Sequence, residues 1–232
     1  MRRTFVVLCA LAVVLGVAGC GRDQAARPAP SIEPLETASS PSPNPTPEKS
    51  MACKLLSDKD RRSIAGVDIK VVAPAPPAKG SEQCRWVSTL KTGAPTMVQV
   101  AVAPAQVWAK TVPTQVDGAL RSGRADQDLV KKLLAAKKEL RHGADKISDK
   151  RACEMISLLA QANGRKAGVT ETTSFPPFGT QISAQARLCS KGIYATVTYS
   201  ELGLKPSTAL GQAVVRLVRT AHLRATKLGY AD

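Results

Sequence analysis

Most of the chemistry open to this chain lies in its cysteines. There are 6 in 232 residues, against only 2 histidines, His142 and His222. Cys53, Cys84, Cys153 and Cys189 stand far apart, and no two cysteines form a C-x-x-C pair. That spacing argues against a redox dithiol and against a zinc site, whose ligands usually come in close pairs. Hydrolytic signatures are missing too, with no G-x-S-x-G turn and no H-E-x-x-H pair. His142 falls at a basic helix end and reads as a solvated partner of charge. His222 reads as a surface or internally satisfied side chain. Nothing marks a carboxylate pair for sugar cleavage or a glycine loop for phosphate. The expectation is a non-enzyme, with no catalytic residue and no metal ligand.

The other two cysteines belong to the N-terminus. Arg2 and Arg3 precede an apolar run from Phe5 to Gly16 that contains Cys9, and Val17-Ala18-Gly19-Cys20 closes it. A charged start, an apolar middle and small residues at the end make an export signal. The last four residues resemble a bacterial lipobox. The resemblance implies a lipoprotein signal peptide over 1–19, cleavage before Cys20, and a palmitate-type lipid on the Cys20 thiol. Two other readings stay open. One is an uncleaved anchor, although the run is shorter than the roughly 20 residues a spanning helix needs. The other is a plain secretory signal cut after Ala18-Gly19. The lipobox reading places the protein on the outer face of the cell membrane, extracytoplasmic and lipid-anchored, with that lipid as its only covalent group.

In an exported chain the four remaining cysteines imply two disulfides. Three pairings are possible. An internal echo favours neighbouring closure, 53–84 and 153–189. Cys53-x-x-Leu56-Ser57 and Cys153-x-x-Ile156-Ser157 share a shape, and each is followed by a Cys beside a hairpin, 31 and 36 residues on. The echo also suggests two similar halves. Loops of that size stabilise a fold by about 3–4 kcal/mol in the chain-entropy account.

Residues 20–50 read as a disordered linker. Seven of the thirty residues in 21–50 are proline, mixed with Ser, Thr, Ala and Glu. Such a segment cannot bury enough apolar surface to fold, and fully extended it would reach on the order of 90 Å. The 182 residues of 51–232 are long enough for a real core. They carry 28 basic and 14 acidic side chains, most of the chain's net charge of +15. The excess is spread along the domain and suits an anionic lipid or wall polymer as partner, or an envelope protein. No groove-entering motif points to nucleic acid, and with aromatics at 3% stacking on bases or sugars is disfavoured.

An α+β domain is expected over 51–232. Ser57 and Asp60 make a capping box for a helix at about 58–65 that ends at Gly66. Val67–Val72 is a weak strand, broken by Pro74-Ala75-Pro76-Pro77. Cys84–Val87 and Met97–Val102 form a first hairpin turning at Lys91–Pro95, and Ile182–Cys189 and Ile193–Ser200 form a second. Residues 105–120 are ambiguous, with Pro113 interrupting any long helix. Helices are expected at 126–141, at 148–163, and from Pro206-Ser207 to Leu228. The first has an apolar stripe of Leu129, Val130, Leu133, Leu134 and Leu140. Its cations Lys131, Lys132, Lys137, Lys138 and Arg141 form a candidate patch for an anionic partner. Residues around Phe175–Gly179 read as a loop. The two hairpins should make an antiparallel sheet packed beneath these helices.

Cys-x-x-Leu-Ser at the start of the domain, followed by Cys84-Arg85-Trp86 and an alternating strand, resembles the actinobacterial lipoproteins built on domain of unknown function 3558. The resemblance covers the lipobox, the Pro-rich linker and residues 51–102, and extends to the closing helix. The family usually has Asp-Pro before its first Cys, where this chain has Met51-Ala52. The second pair, Cys153 and Cys189, is closer to the two-disulfide extracellular sensor domains of mycobacterial Ser/Thr kinases and related lipoproteins. The resemblance implies a cell-envelope lipoprotein with no assigned activity and supplies no catalytic residue. The lipid anchor, the long spacer and the braced domain point to a non-catalytic binding or sensory domain, with a structural envelope component or a secreted hydrolase as the alternatives.

Overall fold

The computed structural model describes residues 50–73, 75, 79–88, 96–178 and 181–230. Cys20, the signal segment, the linker up to residue 49 and the Lys91–Pro95 turn lie outside the described residues. The described part is an antiparallel sheet with helices on both faces, in agreement with the expected α+β class.

The chain enters through Ser50, which caps a single 3-10 turn, Met51–Lys54. The Ser50 hydroxyl and the Ala52 amide both donate to Glu82 Oε2, at 3.1 and 3.2 Å. Helix α1 spans Asp58–Ala65. Ser57 N donates to Asp60 Oδ2 and Asp60 N to Ser57 Oγ, which completes the expected capping box. Gly66, at φ 69°, takes the left-handed turn that ends α1.

Strands β1 (Val71–Ala73), β2 (Glu82–Ser88) and β3 (Thr96–Pro104) form one half of the sheet, and β4 (Glu171–Ser174), β6 (Gln181–Ser190) and β7 (Ile193–Ser200) form the other. The order is β1-β2-β3-β7-β6-β4, with β5 (Pro177–Phe178) adding a short pairing to β6. The β6–β7 connection is the two-residue Lys191-Gly192 turn, with φ 48° and 73°. Positive φ at both positions matches the twist of a tight hairpin. Strand β4 precedes the segment expected as a loop, Phe175–Gly179, and the short β5 lies within it. Glu171–Ser174 has no apolar alternation of its own, and pairs because the ten-residue β6 offers it a long free edge.

Alternation divides the sheet into two faces. Cys84, Trp86, Val98, Val100, Val102, Ala184, Ala186, Ala195, Val197 and Tyr199 point to one face, where Val214, Leu217, Val218 and Ala221 of α6 (Thr208–Lys227) cover them. The opposite face begins with a row of Ala103, Tyr194 and Cys189. Helices α2 (Ala105–Ala109), α3 (Val112–Arg121), α4 (Gln127–Gly143) and α5 (Asp149–Ala162) build a second core on that row. Pro113 lies in the first turn of α3, where its missing N–H costs nothing, so the ambiguous 105–120 segment becomes two short helices.

Helix α4 departs from expectation in two ways. It packs on α3 and α5 rather than on the sheet. Its buried stripe is Leu129, Leu133, Ala136 and Leu140, while Leu134 is 48% exposed. The expected stripe was too wide because α4 forms an outer layer and needs only one narrow seam.

Both disulfides form with the expected partners, Cys53–Cys84 and Cys153–Cys189, at Cα–Cα distances of 5.0 and 5.2 Å. Each ties a helical turn to the first strand of a hairpin. From each edge the strands run in chain order toward the centre, yet Cys84 faces α6 and Cys189 faces α5. The two halves therefore anchor their helices on opposite faces of the sheet. Both cores and both disulfides lie within residues 50–230, so this part has what it needs to fold on its own.

Candidate functional site

The site grows out of strand alternation. Beyond the Ala103–Tyr194–Cys189 row, the same sheet face carries two rows of mostly polar side chains. One row crosses Gln83, Ala101, Thr196, Arg187 and Thr172, and the next crosses Arg85, Gln99, Thr198, Gln185 and Ser174. The two carboxylates in the strands, Glu82 and Glu171, have the other parity and lie on the α6 face. Glu82 accepts from the chain entry, and Glu171 from Arg219 at 2.6 and 2.8 Å.

Neutral amides hold the two arginines of this face. Arg85 Nε donates to Gln99 Oε1 at 3.0 Å, and Gln99 Nε2 donates on to Gln83 Oε1 at 2.9 Å. Arg187 Nε donates to Gln185 Oε1 at 2.8 Å, and its Nη1 to Gln115 Oε1 of α3 at 3.1 Å. Gln185 Nε2 donates to Thr198 Oγ1 at 3.2 Å. Among the described residues neither arginine has a carboxylate partner. Burial pushes the Arg85 guanidinium pKa down, with no opposing charge to offset it. An amide orients a guanidinium without neutralising it, so both cations keep unused N–H donors for an anion.

Where this face meets the helices there is a cleft of about 260 Å³. Arg187, Thr172 and Ser174 form its sheet side, Ile156 and Leu159 of α5 its helical side, and Asn163 and Arg165, just past the end of α5, complete the lining. Trp108 closes one end and stacks on Tyr194, with ring centroids 4.7 Å apart and planes within 12°. Burial pushes the Tyr194 phenol pKa up, while the charge of Arg187 draws it down. A volume just under the usual range for drug-sized ligands suits a small anionic head group held by Arg187.

Two other depressions are larger. One, of about 570 Å³, runs between β4 and the start of α6, but its carboxylate Glu171 is already paired with Arg219. The other, of about 660 Å³, is an open hollow beside α1. Its Arg61 is spent on structure. The guanidinium lies 4.4 Å over the Trp86 ring and donates to Ile69 O at 2.8 Å and Leu56 O at 2.6 Å. Both also carry cations with no ion pair among the described residues, Arg165 and Arg216 in the first and Lys54 and Lys59 in the second. What sets the Arg187 cleft apart is a guanidinium held in place by two glutamine oxygens.

The histidines are separate. His142 is exposed at the end of α4. His222 is 6% exposed on α6, with Nε2 3.1 Å from Ser190 Oγ and 3.0 Å from Ser190 O. A carbonyl oxygen can only accept, so Nε2 carries the proton and pins the β6–β7 turn to α6. That geometry does not make it a base for Ser190. Among the described residues no group of three or more His, Cys, Asp or Glu side chains could hold a metal ion. No described helix is long and apolar enough to cross a membrane.

The candidate α4 patch is only partly assembled. Lys131, Lys132, Lys138 and Arg141 are exposed. Lys137 is turned aside, its side chain 15% exposed and ion-paired with Asp117. The hydrogen bond from Lys137, aided by Arg141 and Arg121, holds the Asp117 carboxyl below its ordinary pKa. Sequence reasoning missed the Arg85–Arg187 face. Its signal was present, since Gln83, Arg85, Gln99, Gln185 and Arg187 are the outward positions of strands whose other face is apolar, but the pairing of β3 with β7 that joins them is not local. In comparisons with known proteins, no family model, curated protein or solved structure matches this chain.

Proposed function

We propose that this protein is an envelope lipoprotein, anchored through lipid on Cys20 outside the cytoplasmic membrane, whose domain binds a small anionic ligand without chemical turnover. The observation that carries the ligand reading is Arg187, held by two glutamine oxygens and without a carboxylate partner among the described residues, at the sheet side of the cleft, with Arg85 three strands away on the same carboxylate-free face. The lipobox and the resemblance to domain of unknown function 3558 support the location, and two closed disulfides are compatible with an oxidising compartment. The binding reading is favoured over the enzymatic one because the cleft offers hydrogen-bond donors and a fixed charge, with no nucleophile–base pair beside them among the described residues.

Two experiments test the two parts. Triton X-114 partitioning of wild type and Cys20→Ala tests the anchor. The wild type enters the detergent phase and the variant does not, whereas equal recovery refutes it. Calorimetric titration of the oxidised 50–232 domain with glycerol 3-phosphate, and with neutral glycerol as control, tests the site. Binding of the phosphate ester alone, lost in Arg187→Gln, is expected. Equal binding by wild type and Arg187→Gln refutes the assignment.

A further inference from the structure

The outward side of α4 is left over once the sheet site is described. Lys131, Lys138 and Arg141 stand there around Leu134, which is 48% exposed, while Lys132 projects from another side of the helix. The carboxylates that could neutralise them are mostly engaged elsewhere. Asp117 pairs with Lys137, Asp145 with Lys110, and Glu139 with Arg151 at 2.8 Å. Asp128 approaches the patch 3.6 Å from Lys131 in a largely exposed pair that screens little, and Asp117, already paired with Lys137, also feels the charge of Arg141. The buried seam of α4 packs on α3 and α5, so the cationic side faces away from the protein.

We infer that this side of α4 is a docking surface for an anionic lipid bilayer. Two features select a bilayer over a hydrated polyanion. The cations lie along one helix, where a flat charged surface meets them together, and Leu134 in their midst offers an apolar side chain that only a membrane interface would bury. The inference is independent of the sheet site. It does not require the Cys20 lipid, which would only raise the local concentration of membrane.

The test uses the oxidised 50–232 domain, which lacks any lipid, so its outcome is separate from both proposals above. Sedimentation is measured with vesicles of phosphatidylglycerol mixed with phosphatidylcholine, with phosphatidylcholine alone, and with soluble poly(glycerol phosphate) as competitor. Binding to the anionic vesicles alone is expected, weakening as salt rises. Lys131→Glu with Lys138→Glu and Arg141→Glu should lower it by about a hundredfold or more, counting about fivefold per lost cation. Leu134→Ser should lower vesicle binding several-fold and leave poly(glycerol phosphate) binding unchanged. Vesicle binding that survives the triple charge reversal overturns the inference. So does a Leu134→Ser variant that binds vesicles as wild type does while poly(glycerol phosphate) competes fully, since the partner would then be a soluble polyanion.

Discussion

Replacing Cys153 and Cys189 together with alanine should cost this domain at least about 4 kcal/mol. The bond closes a loop of sequence separation 36 between α5 and β6. Chain-entropy arithmetic for a loop of that size gives about 3.8 kcal/mol at room temperature, all of it acting on the unfolded state. The native state loses something more, because both cysteines are buried, at 6% and 0% exposure, and removing their sulfur atoms leaves a small cavity, so about 4 kcal/mol is a lower bound. For a domain of this size each kcal/mol moves the melting temperature by about 2–4 °C, so the midpoint should fall by about 8–16 °C or more. Urea unfolding followed by far-UV circular dichroism measures the difference, with m fitted separately for each protein because the unfolded chain without the bond exposes more surface. There is a second consequence. Helix α5 carries Ile156 and Leu159 of the cleft and ends at Asn163, so loosening its tie to β6 should weaken glycerol 3-phosphate binding beyond the stability loss. A double variant less than about 1 kcal/mol below wild type would refute the reasoning. The unfolded chain would then already hold these segments together without the bond.

Three further substitutions test the packing. Arg61→Ala removes a 5%-exposed guanidinium from the Trp86 ring and leaves the Ile69 and Leu56 carbonyls without its donors, so a loss of about 2–4 kcal/mol is expected in the same urea assay. Leu133→Ala opens a cavity at a fully buried position between α4 and its neighbours, and should cost about 2–5 kcal/mol. Asp60 tests pH dependence. Burial works to raise its pKa, but hydrogen bonds from Ser57 and the nearby Arg224 outweigh it and hold the carboxyl below its ordinary value. A depressed carboxyl stabilises the fold above the unfolded pKa of about 4 and loses that contribution as pH falls through the lower folded value. Melting temperatures read from pH 7 to pH 2 should therefore drop on the acid side in wild type, and Asp60→Asn should be less stable at pH 7 with a shallower acid limb.

The elements with local grammar were legible in the chain. Ser57 with Asp60, Ser148 and Ser207 each cap the helix they announce, because a cap is a contact within three residues. The cysteine pairs were legible for a different reason, since an echo of sequence shape carried the connectivity. What could not be read is what lies between the halves. The β3–β7 pairing joins residues about a hundred positions apart, and only that pairing sets Gln99 beside Thr198 and brings Arg85 and Arg187 onto one face. Strand β4 was missed because it borrows its order from β6. Lys137 was misplaced because a cation on a helix surface looks free until Asp117 of α3 is set against it. The exposure of Leu134 depended likewise on knowing that α4 is an outer layer.

The central claim is that the Arg85–Arg187 face receives an anion. It is tested most directly by two-dimensional nuclear magnetic resonance of the arginine Nε–H groups in the oxidised 50–232 domain, titrated with glycerol 3-phosphate. Both Nε–H groups are tied to glutamine oxygens in the free protein, at 3.0 and 2.8 Å. The prediction is saturable shifts at Arg187, with a smaller change at Arg85, while the exposed Arg219 paired to Glu171 stays still. Shifts spread evenly over all surface arginines, or none at Arg187, would contradict it.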